Sequence, residues 1–128
     1  MKKVTETQAA YIAGFFDGEG HVSSSRGRTR IGLSQKNSRA LRYLQQILGV
    51  GYVYKSRKWD HRYRIYVKEE VLAFIQLVQP YCIVKKEKLR IGYRLALLTQ
   101  KPGTNRLTST SYQLRFRLAK QLRDIPNG

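Results

Sequence analysis

Apolar and polar positions alternate in four short segments of the chain. Between residues 28 and 34 the odd positions are the more apolar, and we expect Tyr63, Ile65 and Val67 to face inward from the fourth segment. A period of two is typical of strands with one buried face. The four predicted strands are 21–25, 28–34, 51–57 and 62–67. Each successive pair is predicted to form a β-hairpin, the first turning at Arg26-Gly27.

Apolar residues recur at helical spacing in the segments around these strands. Thr5 and Gln8 have the spacing of a capping box, which predicts a first helix starting near residue 7 and ending at 18–20. Ser38 is predicted to cap a second helix that ends at Gly49. Three later helices are predicted at about 69–78, 85–98 and 111–123.

The order of these elements is one helix followed by two strand–strand–helix units. This duplication predicts an α+β fold with an αββαββα core, in which helices cover one face of a single four-stranded antiparallel sheet. The other face is expected to be free and basic, and the last helix is expected to pack on the sheet edge. Because 128 residues with 41% hydrophobic content suit one core, residues 1–128 are predicted to form a single domain.

Charge narrows the class of partner. Lys and Arg number 25 against 8 Asp and Glu, for a formal net charge of +17, and such self-repulsion indicates a polyanionic partner. Nucleic acid, an anionic membrane and an acidic protein are the alternatives. A membrane surface would need a long amphipathic helix with Trp or Phe on its apolar side, whereas Trp59 stands between Lys58 and Asp60. We therefore favour nucleic acid.

Cysteine content and hydropathy exclude several other classes. Cys82 is the only cysteine, so an internal disulfide and a cysteine-built metal site are both excluded. No apolar run approaches 18 residues, and the N-terminal residues lack the apolar core of a signal peptide. We expect a protein that is neither membrane-spanning nor secreted, and that works inside the cell.

The first predicted helix carries a row of small residues. Ala10, Gly14 and Gly18 are four apart and lie along one side, where another backbone can approach closely. Such a row can pack against the chain's own sheet. However, Phe15 and Phe16 already give the helix a bulky apolar side for its core, which leaves the small row to face something else.

Two acids stand at the C-terminal end of this same helix. The helix dipole disfavours Asp17 and Glu19 there, and the two carboxylates repel each other. Either acid can simply be solvated. A divalent cation accounts better for their placement, because Mg²⁺ prefers hard oxygen ligands.

The segment 12–20, Ile-Ala-Gly-Phe-Phe-Asp-Gly-Glu-Gly, resembles the motif that names the LAGLIDADG homing endonucleases. Three further segments are similar to the single-motif members of that family: 34–36, 49–53, and 79–81 ahead of 85–88. The similarity covers most of residues 5 to 100. The family commonly has Asp where this chain has Glu19, and Glu is longer by one methylene but remains an accepted metal ligand.

The resemblance implies a homodimeric endonuclease that uses Mg²⁺ or Mn²⁺ to cut both strands of a long, near-palindromic DNA target, leaving 3′ overhangs. It would act where that DNA lies, in a bacterial or phage-infected cytoplasm or in an organelle. In the implied site Glu19 and the Gly18 carbonyl bind metal and Asp17 supports the helix end. Gln35 and Lys85 surround the attacking water, and Arg39 lies near the scissile phosphate. The implied dimer interface comprises Ala10, Ala13, Gly14, Asp17 and Gly18.

The basic face of the predicted sheet is the expected DNA-binding saddle, because two-stranded ribbons fit the major groove and Arg reads guanine there. The candidate DNA-binding residues are Arg28, Arg30, Ser34, Tyr54, Ser56, Lys58, Arg62, Arg64 and Tyr66. Phosphate contacts are expected from Lys36, Lys55, Arg57, Lys86, Lys88 and Arg90. An RNA maturase or a non-cleaving DNA-binding protein of the same fold remains an alternative, as does a basic ribosome-associated RNA binder.

Overall fold

The computed structural model describes residues 1–99 and 109–126. Five α-helices and four β-strands occur within these ranges, with a short 3₁₀ turn at Gln79–Tyr81. In chain order they are α1 (Glu6–Glu19), β1 (Gly20–Ser25), β2 (Arg28–Gln35), α2 (Arg39–Leu48), β3 (Tyr52–Lys55), β4 (His61–Ile65), α3 (Lys68–Val78), α4 (Lys86–Leu98) and α5 (Ser109–Asp124). The predicted αββαββα order with additional C-terminal helices is confirmed.

The four strands form one antiparallel sheet in the order β1-β2-β4-β3, as the alternation predicts. Ile31 lies opposite Ile65, and Leu33 lies opposite Tyr63. All four side chains are fully buried against the helices, because successive residues of a strand point to opposite faces of a sheet. The intervening positions of the same strands form the other face.

The helix ends follow local capping rules, with one exception. The predicted capping box is present at α1, where Thr5 and Gln8 exchange side chain-to-backbone hydrogen bonds. Gly49 ends α2 in the left-handed conformation, with φ of 72°. The prediction that Ser38 caps α2 is wrong: its side chain makes no capping bond, and the Asn37 carboxamide oxygen accepts the Arg39 N–H at 2.8 Å instead.

The second hairpin is shorter than its sequence pattern suggests. β3 stops at Lys55 because residues 56–60 form a tight turn, in which the Ser56 N–H donates to the Asp60 carbonyl oxygen at 2.8 Å. β4 stops at Ile65, and the prediction that Val67 faces inward is wrong. Val67 is 40% exposed because the chain has left the sheet there to begin α3.

The core joins α1 to the sheet through one side of the helix. Ala9, Ile12, Ala13 and Phe16 are buried, and the Phe16 ring packs edge-on against Phe74 of α3 at a centroid distance of 5.4 Å. These positions repeat at i, i+3, i+4 and i+7, which is the spacing of one helical face. Ala13 therefore belongs to this chain's own core, and its assignment to a dimer interface is wrong.

The last helix packs against α4 and the β1 edge of the sheet, as expected. Leu118 and Leu122 are buried in this contact. The Arg115 guanidinium donates to the Arg26 carbonyl oxygen at 2.8 Å, which ties α5 to the turn between β1 and β2. Across residues 1–99 and 109–126, no helix is both long enough and apolar enough to span a membrane.

Candidate active site and nucleic-acid interface

The row of small residues on α1 lies on the surface of the chain. Ala10, Gly14 and Gly18 are exposed. A Cβ atom added to either glycine would meet nothing within 4 Å. The row does not pack against the chain's own sheet, so it is open to contact with another surface. Tyr11 of α1 forms an edge-to-face pair with Tyr43 of α2, 6.1 Å between ring centroids, and both rings add exposed aromatic surface.

Asp17 has a structural reason to stand at the end of α1, contrary to the sequence-based expectation. Its Oδ2 accepts the N–H of Ile83 at 2.6 Å, and its Oδ1 accepts the N–H groups of Val84 and Lys85 at 3.1 and 3.0 Å. Burial raises the pKa of this carboxyl, but the backbone hydrogen bonds outweigh it and hold the pKa below its ordinary value of 3.8. The carboxylate binds the segment that leads into α4, so a cation is not needed to explain its position.

The Lys85 side chain donates a second hydrogen bond to Asp17. Its ammonium donates to the Asp17 carbonyl oxygen at 2.8 Å, and the side chain is almost completely buried. A cation at the C-terminal end of a helix interacts favourably with the helix dipole. The structure therefore brings Asp17 and Lys85 together and holds the lysine one turn or less from Glu19.

Glu19 is the acid that remains available. It is exposed and is the last residue of α1. Among the described residues, no hydrogen bond or ion pair involves its carboxylate, and no group of three His, Cys, Asp or Glu side chains could hold a metal ion. Mg²⁺ is typically bound by one or two carboxylates together with substrate phosphates and water. The donor set of this chain fits such an ion only if DNA or a second chain completes it.

Gln35 and Arg39 lie at the same end of the sheet as the start of β1. Gly20 pairs with Leu33, two residues before Gln35 at the end of β2. Gln35 is half-buried opposite His61, and Arg39 is exposed at the first position of α2. Both residues therefore lie at the end of the sheet that follows Glu19, although neither forms a hydrogen bond or ion pair with Glu19 within the described residues.

The face of the sheet away from the buried positions is basic. Arg28 and Arg30 alternate with the buried residues of β2, and Arg62 and Arg64 alternate with those of β4. Within the described residues the buried Arg62 Nε has no hydrogen-bond partner and lies 3.8 Å from the Asp60 carboxylate. Ser34 and Tyr54 both lie opposite Arg62, so six of the nine candidate DNA-binding residues share this face.

The other three candidates lie outside the strands. The Ser56 hydroxyl bonds the Asp60 carboxylate and accepts the Lys58 N–H, so it stabilises the turn. Lys58 is exposed in that turn. Tyr66 follows β4, with its ring edge-on to Tyr52 at 5.9 Å.

Three residues of this face escaped the sequence analysis: His21, Ser23 and Tyr52. His21 lies opposite Gly32, and its ring fills the space that a Cβ at Gly32 would need. Burial and then the charge of Arg62 lower the pKa of His21. The period-two pattern of β1 and β3 places all three on the outward side, so the signal was present in the sequence.

Comparisons with known proteins agree with this geometry. The family model of the LAGLIDADG-like domain matches residues 6–79. The archaeal intron-encoded homing endonuclease I-Vdi141I, solved in complex with DNA, superposes with a TM-score of 0.79 at 21% identity, over 92% of this chain and 83% of that one. A comparison with curated proteins gave no match.

Two further structures show the same fold. The homing endonuclease I-CvuI, solved with uncleaved DNA in the presence of 2 mM Mg, has a TM-score of 0.64 and 16% identity over 94% of this chain and 98% of that one. The LAGLIDADG meganuclease I-AabMI, bound to uncleaved DNA, has a TM-score of 0.74 and 20% identity over 89% of this chain but 44% of that one. Because the family match covers more than half of the 128 residues and spans α1 through α3, this chain belongs to the LAGLIDADG-like domain family.

Proposed function

We propose that this protein is a site-specific double-strand DNA endonuclease that works as a homodimer with Mg²⁺ or Mn²⁺. The observation that carries the proposal is Glu19: an exposed carboxylate without a partner among the described residues, at the end of a helix whose small-residue row is open. The same chain presents a basic sheet face beside it. Acid, open helix and basic face together suit a nuclease better than a protein that only binds.

The basic face supports binding to duplex DNA. The arginines of β2 and β4 stand on neighbouring strands, and such a ribbon fits the major groove. I-Vdi141I, I-CvuI and I-AabMI were each solved with DNA. We propose that Arg28, Arg30, Arg62 and Arg64 contact base edges, while the turn and helix lysines contact phosphates and fix the register.

One acid per chain supports a homodimer. Cutting both strands needs an acid near each scissile phosphate, and each chain supplies one Glu19. I-AabMI is about twice as long as the region it shares with this chain, which is room for two such units. Two copies meeting through Ala10, Gly14 and Gly18 would place their Glu19 side chains near the two-fold axis, and the preferred target would be near-palindromic.

Glu19 and the Gly18 carbonyl are the proposed metal ligands. A bound divalent ion lowers the pKa of water and stabilises charge on the leaving oxygen. Lys85, held at the helix end by the Asp17 carbonyl oxygen, places a fixed positive charge where a phosphate gains negative charge. We propose that Gln35 orients the attacking water and that Arg39 holds the scissile phosphate. The two cuts are proposed to leave 3′ overhangs.

A cleavage assay tests the proposal. Supercoiled plasmid that carries the sequence flanking this protein's own gene is incubated with the protein and Mg²⁺, with and without chelator, and binding is measured in parallel with labelled duplex. We expect linear product only with the metal. Binding without cleavage under all metal conditions would contradict the nuclease and favour a non-cleaving DNA-binding protein of this fold.

A further inference from the structure

The tip of the β3–β4 hairpin, residues 56–60, presents the chain's only tryptophan to solvent. Trp59 is 80% exposed, the second most exposed large apolar side chain among the described residues. Its φ is +68°, in the left-handed region. Bulky residues rarely adopt this region because Cβ approaches the following carbonyl oxygen. Trp59 therefore combines a largely exposed ring with an unfavourable backbone conformation.

The tip holds this conformation through its own hydrogen bonds. The Ser56 N–H donates to the Asp60 carbonyl oxygen at 2.8 Å, and the Lys58 N–H donates to Ser56 Oγ at 3.1 Å. The Ser56 hydroxyl also bonds the Asp60 carboxylate. Backbone strain that the surrounding structure maintains is concentrated at functional sites. These hydrogen bonds therefore stabilise the turn that carries the Trp59 ring.

The charges around the ring identify its partner. The Lys55 ammonium lies 5.2 Å from the centroid of the Trp59 ring, and Arg57 and Lys58, the two residues before Trp59 in the turn, are exposed. The one acid of the tip, Asp60, is engaged by Ser56 and lies 3.8 Å from Arg62. Three cations around an exposed aromatic ring favour a surface that combines phosphates with flat sugar or base groups.

The tip lies at the same end of the sheet as the proposed catalytic residues. Lys55 pairs with His61, and His61 pairs with Gln35, the last residue of β2. The His61 ring is tied to this end as well, with Nδ1 2.9 Å from the Lys36 carbonyl oxygen. The tip thus continues the basic face at the end where Gln35 and Arg39 lie. A duplex on that face would therefore meet the tip close to the proposed catalytic end.

We propose that Trp59 packs on the sugar–phosphate backbone of bound duplex DNA, with Lys55 and Lys58 on the adjoining phosphates. This contact positions the duplex and does not depend on base sequence. The inference rests on the proposed function, since it takes the sheet face as the DNA surface. In this proposal the unfavourable backbone conformation at Trp59 is kept because it holds the ring exposed for contact with DNA.

Fluorescence of the single tryptophan tests the contact directly. The full-length protein is titrated with mixed-sequence duplex DNA at low ionic strength, and acrylamide quenching of Trp59 is compared with binding measured by anisotropy of the labelled duplex. We expect quenching to fall severalfold at saturation. If the duplex binds and quenching is unchanged, this inference is overturned while the proposed function stands. If no duplex binds at any salt concentration, both fail.

Two substitutions separate the ring from the strain. Trp59→Gly removes the ring and places glycine where φ is positive, so we expect unchanged or higher thermal stability but about tenfold weaker duplex binding, the size of one lost aromatic contact to nucleic acid. Trp59→Phe keeps a ring and is expected to bind within about twofold of wild type. Wild-type affinity in Trp59→Gly would overturn the inference.

Discussion

Lys85 donates two hydrogen bonds to Asp17, one from its backbone N–H and one from its ammonium. The Lys85 N–H donates to Asp17 Oδ1 at 3.0 Å, and the Lys85 ammonium donates to the Asp17 carbonyl oxygen at 2.8 Å. These hydrogen bonds therefore fasten the C-terminal end of α1 to the start of α4. Glu19 is the last residue of α1, two positions after Asp17, so this connection helps to fix the position of the proposed catalytic acid.

Asp17→Asn is expected to destabilise the fold in a pH-dependent way. Asn keeps one oxygen for Val84 and Lys85 but turns an NH₂ group toward the Ile83 N–H, at a cost of about 1–3 kcal/mol. The folded pKa of Asp17 is lowered, so its contribution is complete above the ordinary value of 3.8 and disappears as the pH falls through the lowered pKa. Urea unfolding of both proteins at neutral pH and at about pH 3 measures this. A difference that stays constant with pH would contradict the assignment.

Glu19→Gln is expected to abolish metal-dependent cleavage while it preserves DNA binding. The substitution keeps the shape of the side chain and removes the anion that the proposed metal site needs. Binding is expected to stay equal or tighten, because one repulsion from the phosphates is lost. Glu6→Gln, at the exposed start of the same helix, is the matched control and is expected to cleave normally. Cleavage by Glu19→Gln near the wild-type rate would disprove the metal assignment.

Lys85→Met is expected to lower cleavage far more than DNA affinity. One cation of 25 contributes little to holding DNA, but the Lys85 ammonium is fixed beside the proposed metal site. The lost hydrogen bond to Asp17 also costs about 1 kcal/mol of stability, which a thermal melt measures separately. Lys86→Met, the exposed neighbour, serves as the control. An equal loss of cleavage and affinity would make Lys85 an ordinary phosphate contact.

DNA binding is expected to weaken steeply as salt rises. Neutralising Z phosphates releases counterions and gives a slope of roughly −0.9Z, and about six to ten contacts are reasonable for so basic a surface. A plot of log affinity against log salt concentration yields Z. A nearly flat plot would exclude DNA as the main partner.

Gly14→Leu is expected to prevent dimerisation without unfolding the chain. A side chain at Gly14 meets nothing within 4 Å in the single chain, and Leu favours helix over Gly by up to about 1 kcal/mol. Two α1 helices could no longer approach closely. Sedimentation is expected to show a folded monomer that does not cut both strands. A dimer that cleaves normally would refute the shared-helix interface.

Gly92 offers the opposite control for that experiment. A Cβ there would lie 2.8 Å from Val22 Cγ1, inside the core of the chain. Gly92→Ala is therefore expected to lower thermal stability, whereas Gly14→Leu is not. Equal losses of stability in the two variants would show that Gly14 is needed for folding and not for association.

The sequence by itself determined the elements, their order and the family. The strand patterns and turn residues predicted the four strands, the Thr5–Gln8 pair predicted the start of α1, and the motif at 12–20 indicated the family. These features are local, because each depends on residues a few positions apart. The burial of Ala13 was local too: its spacing from Ala9 and Phe16 marks the core face.

Only the tertiary structure decided what the acids of α1 do. The resemblance implied that Asp17 supports the helix end, and the structure shows the partners: its oxygens accept the N–H groups of Ile83, Val84 and Lys85, 66 to 68 residues away. No spacing within α1 encodes those partners. The same holds for the His21 ring over Gly32. Hydrogen bonds and packing between distant segments form only when the sheet and helices assemble. The sequence pattern therefore indicated the candidate residues but not the groups that they contact.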